Sequence, residues 1–137
     1  MSKRFHRDPL IENARNAAGK AYAPYSRYNV GAAMELRVAG ETSAYISGCN
    51  IENASYGLSI CAERSVISRM VSDGIEPSRI KRLAVSAKGA GYPRPCGACL
   101  QVLSEFFPDL EIVLDRGAGP VQRARLRKLL PGAFRLG

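Results

Sequence analysis

Histidine is nearly missing from this chain. The single copy, His6, lies in the basic N-terminal stretch Met1-Ser2-Lys3-Arg4-Phe5-His6-Arg7, which is expected to be exposed and mobile. Imidazole is therefore set aside as a metal ligand. No apolar run approaches the roughly 20 residues that a membrane span needs, and no apolar segment follows the basic start as a secretory signal requires. Internal repeats, long linkers and low-complexity tracts are also lacking, so residues 1–137 are expected to form a single domain. Acidic residues are scarce, 12 against 20 basic ones, for a net charge of +8. That balance admits nucleic acid as a partner, and Arg123, Arg125, Arg127 and Lys128 form a local positive run. The run alternates with Leu126, Leu129 and Leu130, however, and the chain has no aromatic-basic stripe of the kind that tracks a single strand. A solvated or inter-subunit face accounts for it equally well.

What is present is a set of cysteines in a suggestive order. Cys61-Ala62-Glu63 is followed far downstream by Pro95-Cys96-Gly97-Ala98-Cys99, which supplies three soft ligands and one carboxylate. A structural zinc site closes with four protein ligands, whereas a catalytic one uses three and leaves a position for water. Zinc lowers the pKa of bound water from about 15.7 toward neutrality, less strongly when its ligands are thiolates. Glu63 is near enough in sequence to lean over the metal and shuttle a proton. Two other readings stand beside this one. Cys96-x-x-Cys99 alone suits a redox dithiol, and Cys49, otherwise a core cysteine, could complete a four-cysteine structural site. The redox reading gives no role to Cys61, and the closed site gives none to Glu63. Reduced thiols for zinc fit the cytoplasm.

The expected elements place these residues at helix starts. Asp8-Pro9 opens a helix running to about Lys20. Asn29 to Val38 and Thr42 to Ser47 read as a hairpin around Ala39-Gly40-Glu41. From Cys61 a helix carries Val66, Ile67, Met70 and Val71 on one stripe and stops at Gly74. Pro95 suits the opening of a second helix, with Leu100, Val102, Leu103 and Phe106 continuing it to Pro108. Helix N-termini favour thiolate over thiol, so both starts prepare ligands. Arg82 to Ala87 and Glu111 to Leu114 read as strands, and Val121 to Leu130 as a last helix.

The segments Cys49-Asn50-Ile51-Glu52-Asn53-Ala54-Ser55-Tyr56-Gly57, Cys61-Ala62-Glu63-Arg64 and Pro95-Cys96-Gly97-Ala98-Cys99-Leu100-Gln101-Val102-Leu103 resemble the signatures of the cytidine deaminase family, in its short-chain homotetrameric zinc form. The likeness runs from Ala21-Tyr22-Ala23-Pro24-Tyr25-Ser26 to Leu129-Leu130-Pro131-Gly132-Ala133-Phe134. It implies a three-layer α-β-α fold with a mixed five-stranded sheet. It also implies one Zn2+ per chain on Cys61, Cys96 and Cys99, a zinc-bound hydroxide that attacks C4 of cytosine, and Glu63 passing protons to N3 and then to the departing amine. The expected reaction converts cytidine and 2′-deoxycytidine to uridine and 2′-deoxyuridine with release of ammonia, a step of pyrimidine salvage. The alternative is a deaminase acting on cytosine in RNA or single-stranded DNA, or on a modified cytosine nucleoside.

By the same resemblance Asn50 and Glu52 bind the ribose 3′-hydroxyl, Tyr28 and Ala62 line the base pocket, and Arg64 donates hydrogen bonds to cysteine sulfurs. Tyr56 and Phe134 reach a neighbouring subunit's site. Blander readings exist: Asn50 as a loop cap beside an exposed Glu52, Arg64 as a solvated helix residue, Tyr56 as interface or core. Two positions depart from the family's usual pattern. Tyr28 stands where phenylalanine is usual, which brings a hydroxyl to the pocket edge, and Leu100 stands where arginine is frequent.

Overall fold

The structure is a computed structural model and describes residues 7–137; the expectation for His6 lies outside them. Helix α1, Pro9–Ala18, begins where Asp8 caps it by accepting from the Leu10 amide at 3.0 Å, with proline in the first turn. Strands β1, Gly31–Arg37, and β2, Ser43–Cys49, form the expected antiparallel hairpin. Helix α2, Ala62–Ser72, leads to β3, Ile80–Ser86, and helix α3, Gly97–Phe106, leads to β4, Glu111–Asp115. A short edge strand β5, Gln122–Arg125, passes directly into the one-turn helix α4, Leu126–Leu129.

The five strands lie in the order β2-β1-β3-β4-β5. Only β3 and β4 are parallel; the other pairs are antiparallel, so the sheet is mixed. Side chains alternate across it as strand geometry dictates. Ala33, Ala84 and Val113 pack with Leu10 and Ala14 of α1 on one face. On the other face, Ala32, Met34, Leu83, Val85, Ile112 and Leu114 pack against Val66 and Met70 of α2 and Leu103 of α3. Three layers result, as expected. Each large buried side chain contributes roughly 1.5–3 kcal/mol.

The last expected helix is a misreading. Residues 122–125 pair with β4 from Glu111↔Arg125 to Leu114↔Gln122, and only Leu126–Leu129 are helical. Pairing with a buried neighbour overrides a helix-like run of leucines and basic residues, and the exposed Arg123 and Arg125 suit an edge strand that must not pair further. Two smaller corrections concern the other helices. Val71 is 56% exposed and off the buried stripe, which runs through Val66, Ile67 and Met70. Pro95 precedes the N-cap Cys96 and is outside α3.

Two glycines set the helices tight against the sheet. A Cβ at Gly31 would stand 1.9 Å from the Ala14 carbonyl oxygen of α1, and one at Gly48 would stand 2.7 Å from the Val66 nitrogen of α2. Neither backbone can yield cheaply. The same ends of β1 and β2 are thus clamped between α1 and the first turns of α2.

Ion pairs tie α1 to the sheet. Asp115, with its side chain 1% exposed, accepts from Arg15 through both oxygens at 2.8 Å and from the Ser86 hydroxyl at 2.7 Å. Arg82 joins Asp8 and the buried Glu35. Burial opposes ionisation of Asp8, Glu35 and Asp115, but hydrogen bonds from arginine and serine, and from backbone amides at Asp8 and Asp115, more than offset it and hold all three below the usual carboxylate range. Depressed pKa values give stability that is complete above the unfolded value of roughly 4 and is lost as pH falls through the folded value. Urea unfolding at pH 7 and pH 3 is expected to show a lower midpoint in acid. Asp115→Asn is expected to cost about 1–3 kcal/mol at pH 7 and to flatten that acid dependence; an unchanged pH dependence in this variant would refute the assignment.

Candidate metal centre and base pocket

Cys61 and Cys96 occupy the N-cap positions of α2 and α3, and neither side chain caps its own helix. Both thiols are therefore available, and Cys99 joins them from the first turn of α3. The three Sγ atoms lie within 4.8 Å of one another, and Cys96 and Cys99 are 3.5 Å apart. Tetrahedral zinc with bonds of about 2.3 Å requires sulfurs about 3.8 Å apart, so the cluster needs little adjustment. Among the described residues, Cys49 is half-buried and stands outside it.

The electrostatics of the cluster suit a divalent cation. Hydrogen bonding from Cys99, assisted by Arg64, pulls the Cys61 thiol down to about 5, against the opposing effect of burial. Cys99 moves the other way, because it donates to Cys61, is buried and faces the charges of Glu63 and Cys61. One thiolate forms readily and a second is resisted. A cation supplies the charge that the second lacks. Arg64 Nη2 sits 3.6 Å from Cys61 Sγ, and its Nε is buried without a hydrogen-bond partner among the described residues. Arg64 is half-buried, with its guanidinium turned to the Cys61 sulfur.

Glu63 follows the N-cap by two residues and is 5% exposed. Burial is the main cause that pushes its carboxyl up to about 6, with the Cys61 charge adding to it. Ala62 beside it is fully buried. Tyr28 is 46% exposed, and its hydroxyl is raised above the usual phenol value, first by burial and then by the Glu63 charge. The tyrosine and the carboxylate thus share one neighbourhood.

Asn50 and Glu52 both serve the loop that carries Tyr28. Asn50 Nδ2 donates to the Tyr28 carbonyl at 2.8 Å, and Oδ1 accepts from the Val30 amide at 2.9 Å. Glu52 accepts from the Tyr25 and Ser26 amides at 3.0 and 3.1 Å and from the Ser26 hydroxyl. These bonds include the loop-capping contact of the blander reading, and those of Glu52 hold its carboxylate at a small cleft lined by Tyr25, Ser26, Glu52, Tyr56 and Ser59. Asn53 accepts from the Ser55 amide and holds the next turn. Tyr56 is 78% exposed, with its ring edge-on to Tyr25 at 6.3 Å. Phe134 is 70% exposed in a tail held on α3 by Gln101, whose Nε2 donates to the Phe134 carbonyl at 3.0 Å. Ser26, Tyr25 and Gln101 were not expected as site elements. Each acts through a neighbour, and sequence spacing does not show such contacts.

The family model for the cytidine and deoxycytidylate deaminase zinc-binding region matches residues 6–113. The chain belongs to this deaminase family. Curated cytidine deaminases of Sporosarcina psychrophila and Halalkalibacterium halodurans are 41% and 42% identical to it, each over 93% of this chain and over 90% and 93% of their own lengths. Among solved structures, the cytidine deaminase of Burkholderia pseudomallei superposes with a TM-score of 0.84 at 41% identity, covering 98% of this chain and 100% of that one. That of Mycobacterium tuberculosis gives a TM-score of 0.74 at 40% identity, covering 93% and 96%. Membership in a zinc-binding deaminase family and the sulfur geometry agree on zinc as the metal.

Elemental analysis of the purified protein is expected to find about one zinc per chain, with loss of metal and of thermal stability in Cys99→Ser, because the metal joins two separate helix starts. Full zinc occupancy in Cys99→Ser would remove that residue from the ligand set.

Proposed function

We propose that the chain, residues 1–137 as one deaminase domain, hydrolytically deaminates cytidine and 2′-deoxycytidine to uridine and 2′-deoxyuridine with release of ammonia. The observation that carries this reading is the buried carboxyl of Glu63, in the first turn of the helix that Cys61 opens, beside three clustered thiols in a chain of this family. Cys61, Cys96 and Cys99 hold the metal. Zinc, when bound, supplies Lewis acidity that makes water a nucleophile near neutral pH. Glu63 accepts one proton from water and delivers it to N3 of cytosine, then takes the second from the hydroxyl now on C4 and delivers it to the amine, which leaves as ammonia while the C4 carbonyl forms. Its burial keeps bulk water from competing for the proton and holds the carboxyl where both protonation states are accessible near neutrality. Arg64 donates to Cys61 and tempers the thiolate charge that would otherwise weaken the metal as a Lewis acid. Tyr28 and Ala62 form the walls against the base.

Asn50 and Glu52 meet the 3′-hydroxyl with a donor and an acceptor. Each retains hydrogen-bonding capacity beyond the loop contacts, since an amide NH2 has two hydrogens and a carboxylate about four lone-pair sites. The substrate is therefore a nucleoside and not the free base. Assembly into a homotetramer, with Tyr56 and Phe134 entering a neighbour's site, is supported by the exposure of Tyr25, Tyr56, Leu58 and Phe134. No helix among the described residues is long and apolar enough to cross a membrane, and four free cysteines suit the cytoplasm.

Glu63→Gln preserves volume and removes the base, so turnover is expected to fall by roughly 10²-fold or more with zinc content and fold retained. Near-parental turnover in this variant would discard the proton route. Ammonia release is expected from cytidine and 2′-deoxycytidine, with little from cytosine or 3′-deoxycytidine. Equal efficiency on cytidine and 3′-deoxycytidine would overturn the sugar contacts, and reaction of an internal cytosine in RNA with inert cytidine would move the substrate to nucleic acid.

A further inference from the structure

On the α1 side of the sheet a cleft of about 390 Å3 opens where α1 ends and β3 and β4 end; its lining includes Arg15, Arg27, Ser86, Lys88 and Gly117, together with Tyr28, which it shares with the proposed base pocket. We propose that this cleft binds the phosphate group of a small phosphomonoester. Three cationic side chains share its wall. No carboxylate is in the lining; Asp115, which Arg15 and Ser86 meet, is fully buried. Among the described residues, which include every acidic residue of the chain, neither Arg27 nor Lys88 forms an ion pair. Two positive charges therefore remain uncompensated, the charge that a phosphomonoester dianion matches.

The donors are held before any ligand arrives. Asp115 fixes the Arg15 guanidinium through Nε and Nη2 and leaves its other N–H groups unspent. The Lys88 stem lies against Gly117, where the backbone has φ +92° and where a Cβ would stand 2.9 Å from Lys88 Cγ, so any other residue would displace the lysine. Arg27 takes a left-handed backbone, φ 58°, that disfavours a residue with a side chain; its amide donates to the Ala23 carbonyl at 2.9 Å. The α1 C-terminus, whose carbonyls would repel an anion, is already quenched: the Gly19, Lys20 and Ala21 amides donate to Arg15, Ala17 and Ala18. The volume suits a sugar phosphate, and Tyr28 is the one aromatic side chain in the lining, so a strand of stacked bases finds no platform there.

Calorimetry on the zinc-loaded protein at low salt tests this, with ribose 5-phosphate as the probe and ribose and inorganic phosphate as comparisons. Ribose 5-phosphate is expected to bind once per chain, more tightly than inorganic phosphate, with no heat from ribose. Lys88→Gln and Arg27→Gln are each expected to weaken it by roughly tenfold or more at unchanged thermal midpoint, and Lys88→Arg to retain most of the affinity. Undiminished binding in both glutamine variants would overturn the site, as would equal affinity for ribose. Inorganic phosphate binding as tightly as ribose 5-phosphate would overturn the monoester assignment. A short single-stranded RNA that binds more tightly than ribose 5-phosphate, and loses affinity in Lys88→Gln, would reassign the cleft to a polymer backbone. None of these readouts uses turnover, so failure of the deaminase reading leaves the test intact.

Discussion

Three thiols brought within 4.8 Å are the constraint on which the rest of the molecule depends. As thiolates they repel one another, and as thiols they gain little from proximity, so the arrangement is stable only with a cation and with two backbones that hold the sulfurs in place. The N-caps of α2 and α3 provide the backbones. Helix starts also offer unpaired amides and a positive dipole end, which favour the charged form of each ligand. Arg64 adds a full positive charge on the protein side of the cluster. Glu63 is placed by the same helix start that places Cys61, and this linkage of ligand and carboxylate makes the short Cys-Ala-Glu segment chemically decisive.

The sheet supplies the rigidity that this convergence needs. Strand β3 is central in this respect. It pairs with β1 on one side and β4 on the other, its Ser86 end leads into the chain that reaches Cys96, and the same Ser86 is bonded to buried Asp115. Asp115 in turn anchors α1 through Arg15. Because α1 and α2 press on β1 and β2 at Gly31 and Gly48 without room for a side chain, the loop between α1 and β1 emerges at a fixed place. Asn50 and Glu52 then hold that loop by its backbone at Tyr28, Val30, Tyr25 and Ser26. Residues expected to touch substrate are therefore also the ones that shape the wall against it, and substitutions at either position act on both.

Much of the site was legible in the sequence because it depends on local spacing. Cys61, Glu63, Cys96 and Cys99 fall at helix starts, and a helix start is marked by the onset of apolar periodicity. The hairpin and β3 and β4 were legible for similar reasons. The last strand was not. Gln122-Arg123-Ala124-Arg125 has neither β-branched residues nor an apolar alternation, and it is a strand only because β4 offers an open edge. The Asp115–Arg15 pair joins residues 100 positions apart, and the Arg82 pair with Asp8 joins residues 74 apart. Nothing in local composition announces such contacts. Cys49 illustrates the limit from the other side: type and proximity in sequence made it a possible fourth ligand, and three-dimensional placement removed it from the cluster.

X-ray absorption at the zinc edge of the purified protein tests the central claim most directly, because it counts the atoms around the metal without reference to any substrate. Three sulfur neighbours and one oxygen or nitrogen neighbour are expected, the signature of a site that keeps a position for water. Four sulfur neighbours would mean a closed structural centre that includes Cys49, and would contradict the account.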